Sequence, residues 1–328
     1  MAAHPAALDP REARTRSGQR DSIGSWPLSD RIAYGLCWAA GIALCATAGW
    51  IVLYMGIKGI SYLKPSLLVQ PPVGSPNQSG SGGFLDPIEG TFLLTAVGIA
   101  VAAPLGVAVA VWLSEYAQGG RGREFLARAV ESGVETIAGT PSVVLAIFGL
   151  LVFSRRFLAF LSQTSAGGAV FGRSFFSAGL IMSLLAIPLI VGATREGLAQ
   201  VPAHMREASY ALGKTRATTI RRVLLPSVRG NIASGITLGM GRIIGDTAVV
   251  VILLGASLRL EGAGGAPVLS ILRGTGSTLT SYVKENSPAG EGNAPQKAYA
   301  AAFVLLLIVI ALNALVTRLS RDRGGRRR

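Results

Sequence analysis

The chain has 328 residues, half of them hydrophobic and only 15% charged, with 42 glycines and a mean hydropathy of +0.49. Soluble domains carry about a quarter charged residues, so this composition excludes an ordinary soluble globule and points to lipid as the main solvent. Two cysteines, Cys37 and Cys45, share one apolar stretch, and two histidines, His4 and His204, lie far apart, which excludes a disulfide framework and any metal-ligand spacing; no cofactor is expected.

In chain order, residues 1–31 are polar and Arg-rich with Pro5, Pro10 and Pro27, the composition of a disordered tail. An uncharged run over 32–57 is long enough to cross a bilayer and too long for a cleaved leader's apolar core, so it reads as a retained helix. Residues 58–89 form a loop, rich in Pro, Gly and Ser over 70–83. Further uncharged runs cover 90–114, 136–154, 174–194 and 298–317, and a run over 230–257 is interrupted only by Arg242 and Asp246. A second Pro- and Gly-containing loop covers 287–296, and a basic tail covers 318–328. The expectation is an all-α integral membrane protein with six transmembrane helices.

The net charge is +14, and its placement decides its meaning. Lys and Arg concentrate in the tail before residue 32, around 121–128, in 195–229 and after residue 317, the segments that share one side of a six-helix topology. The compartment that keeps the cations is the cytoplasm, so both termini are expected there. No aromatic-basic platform accompanies the charge, so nucleic acid is not an expected partner and membrane lipid is.

Residues 195–229 are too long for a simple connection between two helices. A helix is expected from Pro202, with Gly213 as its stop, and a second from Arg216 to Leu225 ending at Pro226. Ala208 to Thr215 fits a relaxed phosphate-loop pattern, but no strand precedes it, so no nucleotide site is expected here. Gly239 to Gly245 misses a dinucleotide fingerprint by one residue. Gly235, Gly239, Gly241 and Gly245 fit instead the small-residue spacing of close helix packing.

Arg242 and Asp246 are four residues apart, which on an intact helix puts them on one face, about 6 Å apart along the axis. A charge near the bilayer centre costs about 2.5 to 3.5 kcal/mol, so both are expected to face protein or water. Two readings follow: an ion pair that fixes helix packing, or a pathway site in which Arg242 presents its donor fork to an oxyanion, Asp246 holds that fork, and Thr247 adds a hydroxyl. Pro141 either kinks the third run and turns Ser142 toward the pathway, or serves packing alone. The runs contain no paired carboxylates, histidine cluster or activated nucleophile, so an enzyme is not expected.

Glu207-Ala208-Ser209, Gly213 and Val223-Leu224-Leu225-Pro226 resemble, in order and spacing, the EAA loop of ATP-binding-cassette importer permeases, with Ser209 for Ala and Val223 for Ile. Arg242 to Ala248 resembles the Arg-x-x-Gly-Glu-Thr-Ala segment of phosphate-specific transport permeases, with Asp246 for Glu. Gly90-Thr91, Pro104 to Val107, Leu113 to Tyr116 and Gly139 to Val144 agree with the same family, and the PstA type matches better than the PstC type. The resemblance implies a type I importer permease fold with its conserved domain over 90–317, in a bacterial inner membrane. It implies four further things: a PstC-type second permease; a PstB-type ATPase dimer that receives Glu207, Ala208, Ser209, Gly213, Leu225 and Pro226; an external PstS-type phosphate-binding protein; and phosphate import by alternating access. Another oxyanion, such as sulfate, molybdate or phosphonate, remains an alternative, as does a membrane scaffold for phosphate signalling. Some relatives carry a further arginine near position 192; the nearest here is Arg195, one turn lower.

Overall fold

A computed structural model describes residues 27–72, 82–117, 120–162, 171–255, 267–287 and 295–325. The expected disordered tail up to residue 26, His4, and most of the 70–83 and 287–296 loops lie outside the described residues. The chain divides into two units, 1–54 and 55–328. Every described regular element is helical. Among the described residues, four helical stretches are long and apolar enough to cross a membrane: α1 (Leu28–Ile60), α3 (Leu85–Val111) with the π-helical turn that extends it to Tyr116, α6 (Phe175–Gln200), and the Pro295–Ser320 part of the last helix. A bent pair adds a fifth candidate. The short α2 (Pro65–Val69) lies between α1 and α3.

The bent pair replaces the single run expected over 136–154 and agrees with the first of the two readings of Pro141, a kink. Its two members are α4 (Arg121–Gly139) and α5 (Ser142–Phe153), which meet at 108°. Pro141 has no N–H and drives the preceding residue out of helical space; Thr140 accordingly sits at φ −78°, ψ 130°. The helix also begins well before the uncharged run does, because α4 is amphipathic and its sequence includes Arg121, Arg123, Glu124, Arg128, Glu131 and Glu135.

The second unit is organised around α6. A capping box opens that helix: the Ser177 N–H donates to Ser174 Oγ at 3.0 Å, and the Ser174 N–H to Ser177 Oγ at 3.0 Å, which together satisfy two of its first donors. It packs most extensively against α3 and against α10 (Arg229–Gly245). Leu94, Met182, Ile190 and Ile243 are fully enclosed at these crossings. Between lipid-solvated helices there is no hydrophobic drive to associate, so close van der Waals contact must supply the attraction. Gly106 of the Pro104 to Val107 stretch provides it against Ile190, where a Cβ would come within 2.9 Å of the side chain.

The expected span over 230–257 is likewise two helices. α10 stops at Gly245 and α11 (Ala248–Leu253) follows after Asp246 and Thr247. α12 (Pro267–Arg273) and α13 (Leu279–Asn286) then lead to α14 (Pro295–Gly325), which packs on α13 and α10. α13 is locked onto α3 by the Gly90-Thr91 pair. The Leu279 N–H donates to Thr91 Oγ1 at 3.0 Å, and a Cβ at Gly90 would collide with the Ser277 carbonyl oxygen.

Between α6 and α10 stand α7 (Ala203–Ala211), α8 (Arg216–Thr219), a π-helical turn over Ile220–Leu224 and α9 (Leu225–Ser227). Gly213 has φ +71°, the left-handed conformation that ends a helix and that side chains disfavour. The second stretch does not end at Pro226 as expected but runs on to Ser227. The π turn is the reason: the Leu225 N–H reaches back to Ile220 O, and in that widened register the missing Pro226 donor does not interrupt the helix.

Candidate functional site: a capped helix break and a helical hairpin

Two places in the second unit hold the residues singled out above. The first is the break between α10 and α11. Asp246 has left the helix, with φ −83°, ψ 118°, so its pairing with Arg242 does not follow from helical spacing as the sequence suggested. The break is finished on both sides. Thr280 of α13 donates to the Ile244 carbonyl at 2.6 Å, which satisfies a C-terminal acceptor of α10. Asp246 Oδ1 accepts the Val249 N–H at 3.0 Å, capping the start of α11. Its other oxygen lies 4.0 Å from Arg242 Nη2, with the aspartate side chain 5% exposed and the arginine 48%.

Asp246 is therefore a buried cap whose second oxygen loosely restrains an open guanidinium. Thr247 is half-buried at the head of α11. Ser142 is half-buried at the head of α5, on a helix that packs against α6 and α11; among the described residues it makes no hydrogen bond to Arg242, Asp246 or Thr247. Of the four glycines, Gly235 and Gly239 face α6, where a Cβ would stand 3.0 Å from Ile190 Cα and 3.2 Å from Ala186 Cβ respectively. Gly241 and Gly245 meet nothing within 4 Å among the described residues. Arg195 donates to Glu131 of α4 at 2.5 Å, which commits its guanidinium to a carboxylate.

The second place is the α7–α9 hairpin. Glu207 and Ala208 are exposed on α7, and Pro226 on α9, with Leu225 half-buried. Ser209 is buried and its hydroxyl lies 2.8 Å from Thr219 Oγ1. Thr219 Oγ1 donates to the Thr215 carbonyl at 3.1 Å, so Ser209 is the donor of the pair. The hydroxyl that distinguishes Ser209 from alanine thus ties α7 to α8. An apolar cluster of Leu198, Val201, Ile220, Leu224 and Val228 seats the hairpin on the end of α6. On its outer side a groove of about 370 Å³ runs past His204, Met205, Ala208, Leu212, Thr218 and Val223, with Leu212 at 78% exposure.

Glu115 and Arg206 were not expected from sequence. They form an ion pair, 3.0 Å long, between a buried carboxylate at the end of α3 and a partly exposed guanidinium on α7. They are 91 residues apart, and no local spacing signals the contact.

Long apolar helices, a break carrying an arginine and a helical hairpin describe a multi-pass membrane protein. Residues 102–324 match the family described as the binding-protein-dependent transport system inner membrane component, and the chain belongs to that family. Among individual proteins it is 34% identical over 248 residues to the phosphate transport system permease protein PstA 1 of Mycobacterium tuberculosis strain H37Rv, covering 76% of this chain and 72% of that one. It is 27% identical over 260 residues to the phosphate transport system permease protein PstC of Pasteurella multocida, covering 75% and 78%.

Solved structures share the fold. A chain of the bacterial alginate ABC transporter, crystallised with its alginate-bound periplasmic protein, aligns with TM-score 0.60 at 16% identity over 90% of this chain and 96% of that one. A chain of the inward-facing MetNI methionine ABC transporter gives 0.51 at 19% identity, covering 73% and 94%. The chain is an ABC importer permease, a multi-pass membrane subunit and not an enzyme.

Proposed function

We propose that this chain is the permease subunit of an ATP-driven importer of inorganic phosphate, working by alternating access. The observation that carries the proposal is the geometry of the break. Arg242 is half exposed, is held by one long contact, and stands beside a carboxylate whose other oxygen is occupied by the α11 cap. Such a guanidinium keeps its planar donor fork free for a tetrahedral oxyanion. The phosphate transport permeases at 34% and 27% identity support phosphate as that anion. Thr247 and Ser142 belong to the same pathway in this reading.

In this reading the membrane is crossed six times with both termini cytoplasmic, as the Lys and Arg distribution favours, and α4 with α5, and α10 with α11, each count as one broken span. The α7–α9 hairpin then lies in the cytoplasm, and Glu207, Ala208, Ser209, Gly213, Leu225 and Pro226 form the coupling surface for a PstB-type ATPase dimer. A PstC-type permease completes the pathway, with the exposed Gly241 and Gly245 allowing its close approach, and a PstS-type protein delivers phosphate from outside.

The test is uptake of labelled phosphate, with sulfate as competitor, in cells that lack their own high-affinity importer and receive this chain with its three partner subunits. Uptake that requires the chain and ignores sulfate is the expected result. An assembled complex that imports sulfate or another oxyanion instead, or nothing, overturns the assignment.

A further inference from the structure

The last turn of α3 widens into a π-helical turn over Trp112–Tyr116. Glu115 falls in this turn and its side chain is 5% exposed. Its Oε1 accepts from Arg206 Nε at 3.2 Å and from Nη2 at 3.0 Å. The same guanidinium donates to the Leu198 and Val201 carbonyls, both at 2.9 Å, at the end of α6. One residue along, the Tyr116 ring lies beneath the Arg216 guanidinium of α8, 5.1 Å from its centroid. Both helices of the hairpin are therefore fastened to the adjacent Glu115-Tyr116 pair, and α7 is fastened to α6 as well. By contrast, the Arg195–Glu131 pair is two-fifths exposed on each side and ties α6 only to α4.

We infer that Glu115 and Arg206 are positioning residues that transmit displacement of the hairpin to α3 and α6 together, so that the helices on which α10 and α13 rest move with it. The planar fork makes four hydrogen bonds in fixed directions, so α7 cannot shift relative to the two helix ends without breaking a partly buried, charge-assisted set. The inference rests on the reading of the hairpin as the ATPase-docking surface. Lysine at 206 keeps the charge and loses the fork; glutamine at 115 keeps the shape and loses the charge.

The experiment uses the four-component complex in proteoliposomes and measures ATP hydrolysed per phosphate imported, alongside the amount of assembled complex. Glu115→Gln and Arg206→Lys are expected to raise that ratio at least fivefold at unchanged complex yield, and the double variant no further than either alone. If these contacts serve only folding, yield falls, hydrolysis and import decline in step, and the ratio stays at its wild-type value; that result overturns the inference. Should Glu115→Gln fail to assemble, Tyr116→Leu, which spares the ion pair, is expected to raise the ratio about twofold, and an unchanged ratio again overturns it. Leu212→Asp at the exposed hairpin tip separates the two ideas: it is expected to release the ATPase, and a complex that keeps the ATPase sinks the docking reading itself.

Discussion

Replacing Arg242 with glutamine is expected to separate transport from folding. Among the described residues the guanidinium has one ion-pair contact, 4.0 Å long, from a half-exposed position. Pairs of that kind stabilise by about 0.2 to 1 kcal/mol, and glutamine matches arginine in helix propensity. Asp246 keeps its bond to the Val249 N–H, so it is not left without a partner. The variant should therefore assemble and melt within about 1 kcal/mol of the native complex. Toward an oxyanion the loss is larger: a charged fork contributes about 1.5 to 3 kcal/mol per hydrogen bond, so two bonds lost cost at least about 3 kcal/mol, or roughly a hundredfold in uptake at low phosphate. The paired measurement is labelled phosphate uptake and thermal melting of the purified complex. Arg195→Gln is the control, because its guanidinium is committed to Glu131, and its uptake should stay within roughly threefold of native if exposed ion pairs are worth so little. Uptake by Arg242→Gln within that same margin, at equal complex amounts, would refute the reasoning.

Other outcomes follow from the packing. Thr91→Val removes the acceptor for the buried Leu279 N–H and is expected to cost about 1 to 3 kcal/mol, seen as a lower melting temperature; no change would mean that α13 is held elsewhere. Gly90→Ala drives a methyl into the Ser277 carbonyl and is expected to destabilise by a similar or larger amount, about 1 to 3 kcal/mol or more. Gly213→Val meets no neighbour within 4 Å but must adopt φ +71°, a strain of about 1 to 2 kcal/mol. It should weaken capture of the ATPase subunit in a pull-down while leaving the melting of the membrane core unchanged. Gly241→Leu and Gly245→Leu find open space in this chain and should leave its folding intact but reduce co-purification of the second permease; retention of that partner would remove these glycines from the interface.

Much of the helical core was legible because lipid imposes one simple demand, a long run without charge. The runs over 32–57, 90–114, 174–194 and 298–317 each correspond to a helix that is long and apolar enough to span. The demand fails where a helix is amphipathic or broken. α4 has six charged residues along its length and was invisible to a search for uncharged runs, although its last residues were included in one. The joint after α10 had a readable signal. Gly245 followed by Asp246-Thr247 and the apolar Ala248–Leu253 is a helix stop followed by a helix start, and the four-residue spacing from Arg242 to Asp246 drew attention to an ion pair instead. Gly213 was readable as a helix stop because no other residue type fits its φ so well. The Glu115–Arg206 contact was not readable at all: Glu115 marked the edge of an uncharged run and lay in a stretch of family resemblance, and nothing local joins it to a residue on the far side of three helices.

The joint in α10–α11 also bears on how the protein is made. A segment enters the bilayer from the translocon on the strength of its own apolar length, and the 17 residues of α10 reach only about 26 Å while carrying Arg242; the 6 residues of α11 add a separate rod too short to cross. The helix that carries Arg242 is thus poorly equipped to insert unaided. Its close fit of Gly235 and Gly239 against α6 supplies what its own sequence lacks. Membrane insertion of 229–253 in a reporter chain is expected to be poor alone and to recover when α6 precedes it, which would make the order of synthesis part of how this helix reaches its place.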